Sequence, residues 1–328
     1  VTTDDLILPG SDVVVPRLGV GTWAWGDRST WGMGGYDAGL TRDTIRDAWD
    51  ASIDAGVTLF DTAEVYGRGE SERIIGSLLA ADPGRAARTV IATKFMPSPR
   101  KLNVRRALLA SLRASLGRLG LPSVDLYQIH GPISLRSHTV LADALAAAHD
   151  EGLVRAVGVS NYSVKETRAM ADALGRHGLR LATNQIEFSL LRRSPETGGL
   201  LSACADLGVV PLAYSPIGQG RLTGKYSAAD PPPGKRTFSD HPMELVDAIV
   251  SELRSIGDAQ GGRTPSQVAL NWIIAKGAVP IPGAKNRTQA EENAGALGWA
   301  LDGDEVARLD RAALPGIRNL SSRVWQHG

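Results

Sequence analysis

The sequence predicts a single domain over residues 1–328, folded as an α/β barrel of eight parallel strands, each followed by a helix. Three observations carry this expectation. Eight short, β-rich apolar runs recur: Leu18–Thr22, Thr58–Ala63, Val90–Lys94, Asp125–His130, Arg155–Ser160, Ala182–Phe188, Val209–Ser215 and Ala278–Gly283. They are near-continuously hydrophobic rather than alternating, as suits parallel strands covered on both faces. Amphipathic helical patterns separate them, and 328 residues suffice for one such (β/α)8 domain.

Taken in order, Leu6–Leu8 and Val13–Val15 around Pro9-Gly10 read as a β-hairpin able to plug the barrel floor. Helices are expected over 42–55, 71–80, 103–118, 138–151, 164–175, 195–207, 265–276 and 289–297, with an extra one at Met243–Ile256. Ser163–Glu166, Thr264–Gln267 and Thr288–Glu291 each fit a capping box, and Pro195 and Pro265 suit a first helical position. Gly56, Gly152, Gly178 and Gly208 sit where helices should stop. Two long loops break the rhythm after strands 1 and 7, at Trp23–Leu40 and Pro216–Pro242. The competing doubly wound sheet lacks its fingerprint. Gly19-x-Gly21 is followed by Ala24 and a Trp-rich loop, not by a third glycine and a helix.

Composition excludes several function classes. Thirty-six Lys and Arg balance 35 Asp and Glu, a net charge of +1 with no footprint for nucleic acid or a membrane surface. One cysteine, Cys204, excludes an internal disulfide and a Cys-based zinc cluster, and no metal site is expected. No apolar run reaches membrane-spanning length, and Val1–Gly10 lacks a signal pattern, so the expectation is a cytoplasmic protein. A closed barrel has no open edge, so a monomer is expected.

Polar residues gather at the ends of the apolar runs: Asp61, Lys94, His130, Ser160 with Asn161, Gln185 with Glu187, and Tyr214 with Ser215. Lys285 follows the eighth. In a closed barrel these ends meet at one mouth, where active sites form. Singly, each has a plainer reading: Asp61 as a turn residue, Lys94 as a solvated strand end, His130 as a structural histidine, Tyr66 as a surface residue in a glycine-flanked turn. Jointly they place a lysine, a histidine and a carboxylate where a packed core has no use for them.

Asp61-Thr62-Ala63-Glu64-x-Tyr66-Gly67, Ala92-Thr93-Lys94 and Gln128-Ile129-His130 resemble the aldo-keto reductase superfamily. So do Gly158-Val159-Ser160-Asn161-Tyr162, Asn184-Gln185, Tyr214-Ser215-Pro216, and Ile281-Pro282-Gly283-x-Lys285 leading to Glu292-Asn293. The resemblance covers roughly residues 15 to 313. Gly21-Thr22-Trp23-Ala24-Trp25-Gly26-Asp27 and Ser215-Pro216-Ile217-x-Gln219-Gly220 are similar to the bacterial and plant plastid-type branch.

The resemblance implies NADP(H)-dependent reduction of a small-molecule aldehyde or ketone. Tyr66 would be the general acid, its pKa lowered by Lys94; Asp61 would hold Lys94 charged; His130 would bind the carbonyl oxygen. Ser160, Asn161 and Gln185 would take the nicotinamide carboxamide, and Tyr214 would stack on the ring. Ser215, Ile217, Gly218, Gln219, Gly220 and Leu222 would fold over the pyrophosphate, and Gly21, Thr22, Trp23, Asp61, Pro216 and Lys225 would also bind the cofactor. Ile281, Gly283, Lys285, Arg287, Gln289, Glu292 and Asn293 would take the adenosine end, Lys285 and Arg287 favouring a 2′-phosphate.

Trp23, Trp25 and Trp31, with Tyr66 and His130, are the expected substrate pocket. The short tail ending Val324-Trp325-Gln326-His327-Gly328 is expected not to shape that pocket as long C-terminal loops do. Pyridoxal reduction is an alternative within the same chemistry. A slow-turnover NADP(H)-binding regulatory protein is another; such relatives carry Asn where His130 stands. A Schiff-base aldolase using Lys94 is a third.

Overall fold

The protein is described by a computed structural model over residues 5–26, 39–98, 101, 103–232, 241–317 and 324–328. The chain opens with the expected antiparallel hairpin, β1 (Leu6–Ile7) on β2 (Val14–Val15). Eight parallel strands follow, each paired with the next: β3 (Gly19–Gly21), β4 (Leu59–Asp61), β5 (Val90–Phe95), β6 (Val124–Ile129), β7 (Val154–Ser160), β8 (Leu181–Glu187), β9 (Val210–Tyr214) and β10 (Val279–Pro280). The ends of this sheet meet at Gly21, which bridges Gly283 and donates its N–H to the Pro282 carbonyl at 2.9 Å. A Cβ on Gly21 would lie 2.8 Å from the Ile281 carbonyl oxygen, so the seam needs a glycine.

Helices surround the barrel at Arg42–Asp54, Glu70–Ala81, Val104–Leu119, His138–Asp150, Val164–Gly175, Leu200–Leu207, Pro265–Ala275 and Arg287–Ala294, with Met243–Ala259 and Gly303–Ala312 added. The capping boxes at Ser163 and Thr264 form as expected. The one at Thr288 does not: Asn286 caps that helix instead, accepting the Gln289 N–H, because the helix begins earlier, at Arg287. The helix expected over 195–207 is split at Gly198-Gly199 into Ser194–Thr197 and Leu200–Leu207. No described helix is long and apolar enough to cross a membrane.

The barrel interior is layered, and the layers follow from the two-residue repeat of a strand. At the floor, Leu8, Val13 and Val15 from the hairpin segment pack against Leu59, Ala92, Leu126, Ala156 and Leu212. Two residues further along three of those strands stand Asp61, Lys94 and Gln128, so the lumen turns polar one step up. Cross-strand register aligns Lys94, Gln128, Gly158 and Thr183 in that layer. Gly158 leaves room for it: a Cβ there would sit 2.1 Å from the Thr183 hydroxyl, which donates to the Gln128 amide oxygen at 3.1 Å.

Gly158→Ala is therefore expected to overpack the lumen and cost about 1–3 kcal/mol of stability. A urea unfolding curve checks this; an unchanged midpoint would contradict the layered packing.

Candidate active site

At the mouth, the ends of β4 and β5 bring two opposite charges together out of water. Lys94 is 0% exposed and Asp61 2%. The Lys94 ammonium donates to Asp61 Oδ2 at 2.5 Å, to the Thr62 carbonyl at 2.9 Å and to the Tyr66 hydroxyl at 3.3 Å. Its three N–H groups thus meet three acceptors. The other Asp61 oxygen accepts from Gln185 Nε2 at 2.8 Å and Gln128 Nε2 at 3.3 Å.

Tyr66 is held by its own turn. Gly67, at φ +57°, lies so close to Gly26 that a Cβ would fall 1.9 Å from the Gly26 carbonyl oxygen. Gly26 closes the short helix Trp23–Gly26. Trp25 anchors that helix, donating its indole N–H to the Ala284 carbonyl at 2.7 Å and packing beside Phe60. His130, just past β6, approaches Tyr66 edge-on with ring centroids 5.6 Å apart. Its Nδ1 is buried and has no hydrogen-bond partner among the described residues.

Burial dominates the electrostatics. It pulls the Lys94 ammonium below its ordinary value, against the opposing pull of Asp61 and, more weakly, Glu72. It drives His130 well below the usual histidine range, helped by the Lys94 charge, so the imidazole is neutral at pH 7. The expectation of a net lowering of the Tyr66 pKa by Lys94 needs correction. Burial pushes the phenol well above its ordinary value and Asp61 adds to the rise. The Lys94 hydrogen bond to the phenol oxygen at 3.3 Å favours the phenolate but does not offset that rise, because Asp61 at 2.5 Å matches the lysine charge.

Ser160, Asn161 and Gln185 lie together at the ends of β7 and β8. Asn161 Nδ2 donates to Ser160 Oγ at 3.2 Å, and Ser160 Oγ donates to the Gln185 carbonyl at 2.9 Å. Tyr214 joins them from β9, donating its hydroxyl to Asn161 Oδ1 at 2.9 Å. Beyond it the backbone is left-handed at Ser215, Gly218, Gln219 and Gly220, a sparsely populated conformation for the two non-glycine residues. Within that stretch Gly218 and Leu222 are buried, whereas Lys225 is exposed.

Around the last helix, Gln289 accepts the Lys285 N–H and Asn293 Nδ2 donates to the Gly283 carbonyl. Arg287 is half-exposed beside Glu291, and Glu292 accepts from Thr264. Thr22 is buried, its hydroxyl on the Asp61 carbonyl, and Ile281 belongs to the barrel floor. Of the tryptophans expected in the substrate pocket, Trp23 is half-buried and Trp25 sits in the core at 2% exposure. Trp31 lies outside the described residues.

The tail departs from expectation. Residues 324–328 lie across the mouth. Trp325 packs edge-on against His130, centroids 5.6 Å apart, on the side of Gly131. Gln326 reaches Glu187 and the Tyr214 hydroxyl; the His327 N–H donates to the Asn161 carbonyl at 3.1 Å. A short tail suffices to reach the candidate site because His130, Asn161 and Tyr214 are already gathered at neighbouring strand ends.

The family model for the aldo/keto reductase family matches residues 17–314. The chain belongs to the aldo/keto reductase family. It is 36% identical to the chloroplastic pyridoxal reductase of Arabidopsis thaliana over 95% of this chain and 87% of that protein. Among solved structures, it is similar to the glycerol dehydrogenase of Gluconobacter oxydans (TM-score 0.80, 27% identity, covering 98% of this chain and 99% of that one). It is also similar to an aldo-keto reductase of Klebsiella pneumoniae in complex with NADPH (TM-score 0.75, 28% identity, covering 97% and 98%).

Sequence reasoning did not single out Gln128, Thr183, Trp325 and Gln326, which the structure brings into contact with one another or with the expected site residues. Gln128 and Thr183 carry the signal of inward parity with Lys94, and counting along the strands finds them. The tail has no periodicity to read.

Lys94→Met should cost about 3–5 kcal/mol, since it leaves Asp61 charged, buried and unmatched. Adding Asp61→Asn should recover most of that loss, because the amide oxygen still accepts from Gln185. Chemical denaturation of both variants checks this; equal stability of the two would contradict it.

Proposed function

We propose that this aldo/keto reductase uses NADPH to reduce an aldehyde or ketone to the alcohol, with Tyr66 as proton donor. The observation that carries the reading is the three-way contact of Asp61, Lys94 and Tyr66 beneath a neutral His130. A bound dihydronicotinamide supplies the hydride.

The residues do the rest. Neutral His130 can give one N–H to the carbonyl oxygen without placing a second cation beside Lys94. Tyr66 is in its acid form at neutral pH, as an ordinary phenol is, and burial pushes its pKa further up. That does not stop proton transfer. A nascent alkoxide is about as basic as hydroxide and far more basic than a phenolate, so it can take the proton from a phenol. The Lys94 N–H on the phenol oxygen then stabilises the phenolate that forms.

The chemistry of the remaining groups fits the cofactor. A carboxamide offers one acceptor and two donors, and Ser160, Asn161 and Gln185 supply hydroxyl and amide partners side by side. Tyr214 supplies a flat face next to them. The left-handed backbone at Ser215 and at 218–220 suits a loop shaped around a pyrophosphate, and Lys285 with Arg287 suit a 2′-phosphate.

The aldolase alternative loses support, because all three Lys94 N–H groups are engaged, which suits an ammonium and not a nucleophilic amine. Within the reductase reading, pyridoxal is a specific substrate candidate, favoured by the likeness to the Arabidopsis enzyme.

Following NADPH absorbance against a panel of 4-nitrobenzaldehyde, methylglyoxal, a hexose-derived ketone and pyridoxal tests the proposal. Turnover is expected with at least one carbonyl, faster with NADPH than NADH. A raised Tyr66 pKa keeps the acid form present at higher pH, so kcat/KM should show no alkaline fall from tyrosine ionisation below about pH 10. NADPH binding without turnover would favour the regulatory alternative; no binding of either cofactor would overturn the reading.

A further inference from the structure

Gln326 stands at one end of a hydrogen-bond chain that runs through every group assigned above to the nicotinamide end. Its side-chain nitrogen reaches both the Glu187 carboxylate and the Tyr214 hydroxyl, the latter at 3.0 Å. The Tyr214 hydroxyl donates to Asn161 Oδ1, Asn161 Nδ2 donates to Ser160 Oγ, and Ser160 Oγ donates to the Gln185 carbonyl. The Gln185 side chain donates to Asp61 Oδ1, and Asp61 holds Lys94.

The direction of this chain is fixed from one end. Glu187 is 3% exposed and lies 3.7 Å from the Arg192 guanidinium. A charged carboxylate only accepts, so Gln326 must turn its NH2 toward Glu187. The second hydrogen of that NH2 then meets the Tyr214 oxygen. Having accepted there, the Tyr214 hydroxyl points its single proton at Asn161. Asn161 must present its oxygen to Tyr214 and its NH2 to Ser160, and Ser160 is left to donate to the Gln185 carbonyl. The observed donors and acceptors form one consistent sequence.

We infer that Gln326 is a positioning residue for the nicotinamide: with Glu187 behind it, it sets which donors and acceptors Tyr214, Asn161 and Ser160 present to the cofactor. The inference rests on the proposed NADPH chemistry. The tail thereby acts on both halves of the reaction, since Trp325, one residue earlier, borders His130.

A swap of the two side chains separates direction from mere packing. In Glu187→Gln/Gln326→Glu the pair keeps one amide, one carboxylate and their mutual hydrogen bond. The carboxylate now faces Tyr214, whose hydroxyl must donate to it and is withdrawn from Asn161. Four variants would be titrated with NADPH by fluorescence, with thermal unfolding followed alongside: Gln326→Leu, the swap, Tyr214→Phe, which keeps the ring and removes the hydroxyl through which the chain passes, and the double variant Gln326→Leu/Tyr214→Phe.

Gln326→Leu and Tyr214→Phe should each raise the NADPH Kd about threefold to tenfold, the worth of one hydrogen bond. The double variant Gln326→Leu/Tyr214→Phe should be no worse than either single one, since both break one chain. The swap should bind NADPH as weakly as Gln326→Leu while unfolding no lower. Wild-type affinity in the swap, additive losses in the double variant, or unchanged binding in Gln326→Leu would each overturn the inference. If Gln326→Leu does not fold, Tyr214→Phe and the swap still decide. Failure of the wild-type protein to bind NADPH would instead overturn the parent reading.

Discussion

A lysine ammonium fully removed from water, 2.5 Å from a single carboxylate, is the constraint around which the mouth is built. Two charges in that position are costly unless every remaining donor and lone pair is satisfied. The surrounding residues meet that demand: the Thr62 carbonyl and Tyr66 hydroxyl on Lys94, the Gln128 and Gln185 amides on Asp61. These partners come from the ends of different strands or just past them, so only a closed barrel gathers them. The seam at Gly21 and the gap left at Gly158 serve the same end, letting the strands close tightly around a polar layer set on an apolar floor.

The same pair shapes the chemistry of its neighbours. Because Asp61 matches the Lys94 charge, Tyr66 behaves as a buried phenol and stays protonated, while burial, helped by the lysine charge, keeps His130 neutral. A neutral donor for the carbonyl and a protonated phenol beside it suit carbonyl reduction better than hydrolysis or nucleophilic attack. Behind them, Thr93 and Arg118 hold the fully buried Glu72, whose charge adds to the field that keeps Lys94 an ammonium.

Much of this was legible in the sequence because strand geometry translates spacing into direction. Asp61 and Lys94 each stand two residues past an apolar lumen residue, Leu59 and Ala92, so their inward placement follows from period two. Cap chemistry was legible at Ser163 and Thr264 for a similar reason: the interaction is local. At Thr288 the same pattern misled, since Asn286 offered a competing cap nearby. Trp25 reads equally as pocket wall or core from its composition alone. Its contacts with Phe60 and with Ala284, both distant along the chain, place it in the core. The tail was illegible for the strongest form of that reason. Trp325 and Gln326 contact His130, Glu187 and Tyr214, all distant in sequence, and no periodicity announces such contacts.

The central claim is that Tyr66 gives the proton while other groups bind the cofactor, and one comparison tests it most directly: NADPH affinity and carbonyl turnover measured side by side in wild type and Tyr66→Phe. The account predicts turnover reduced by about a hundredfold or more, the usual worth of a positioned acid, with NADPH affinity little changed. Turnover that survives in Tyr66→Phe would contradict it and move the proton donor elsewhere in the mouth.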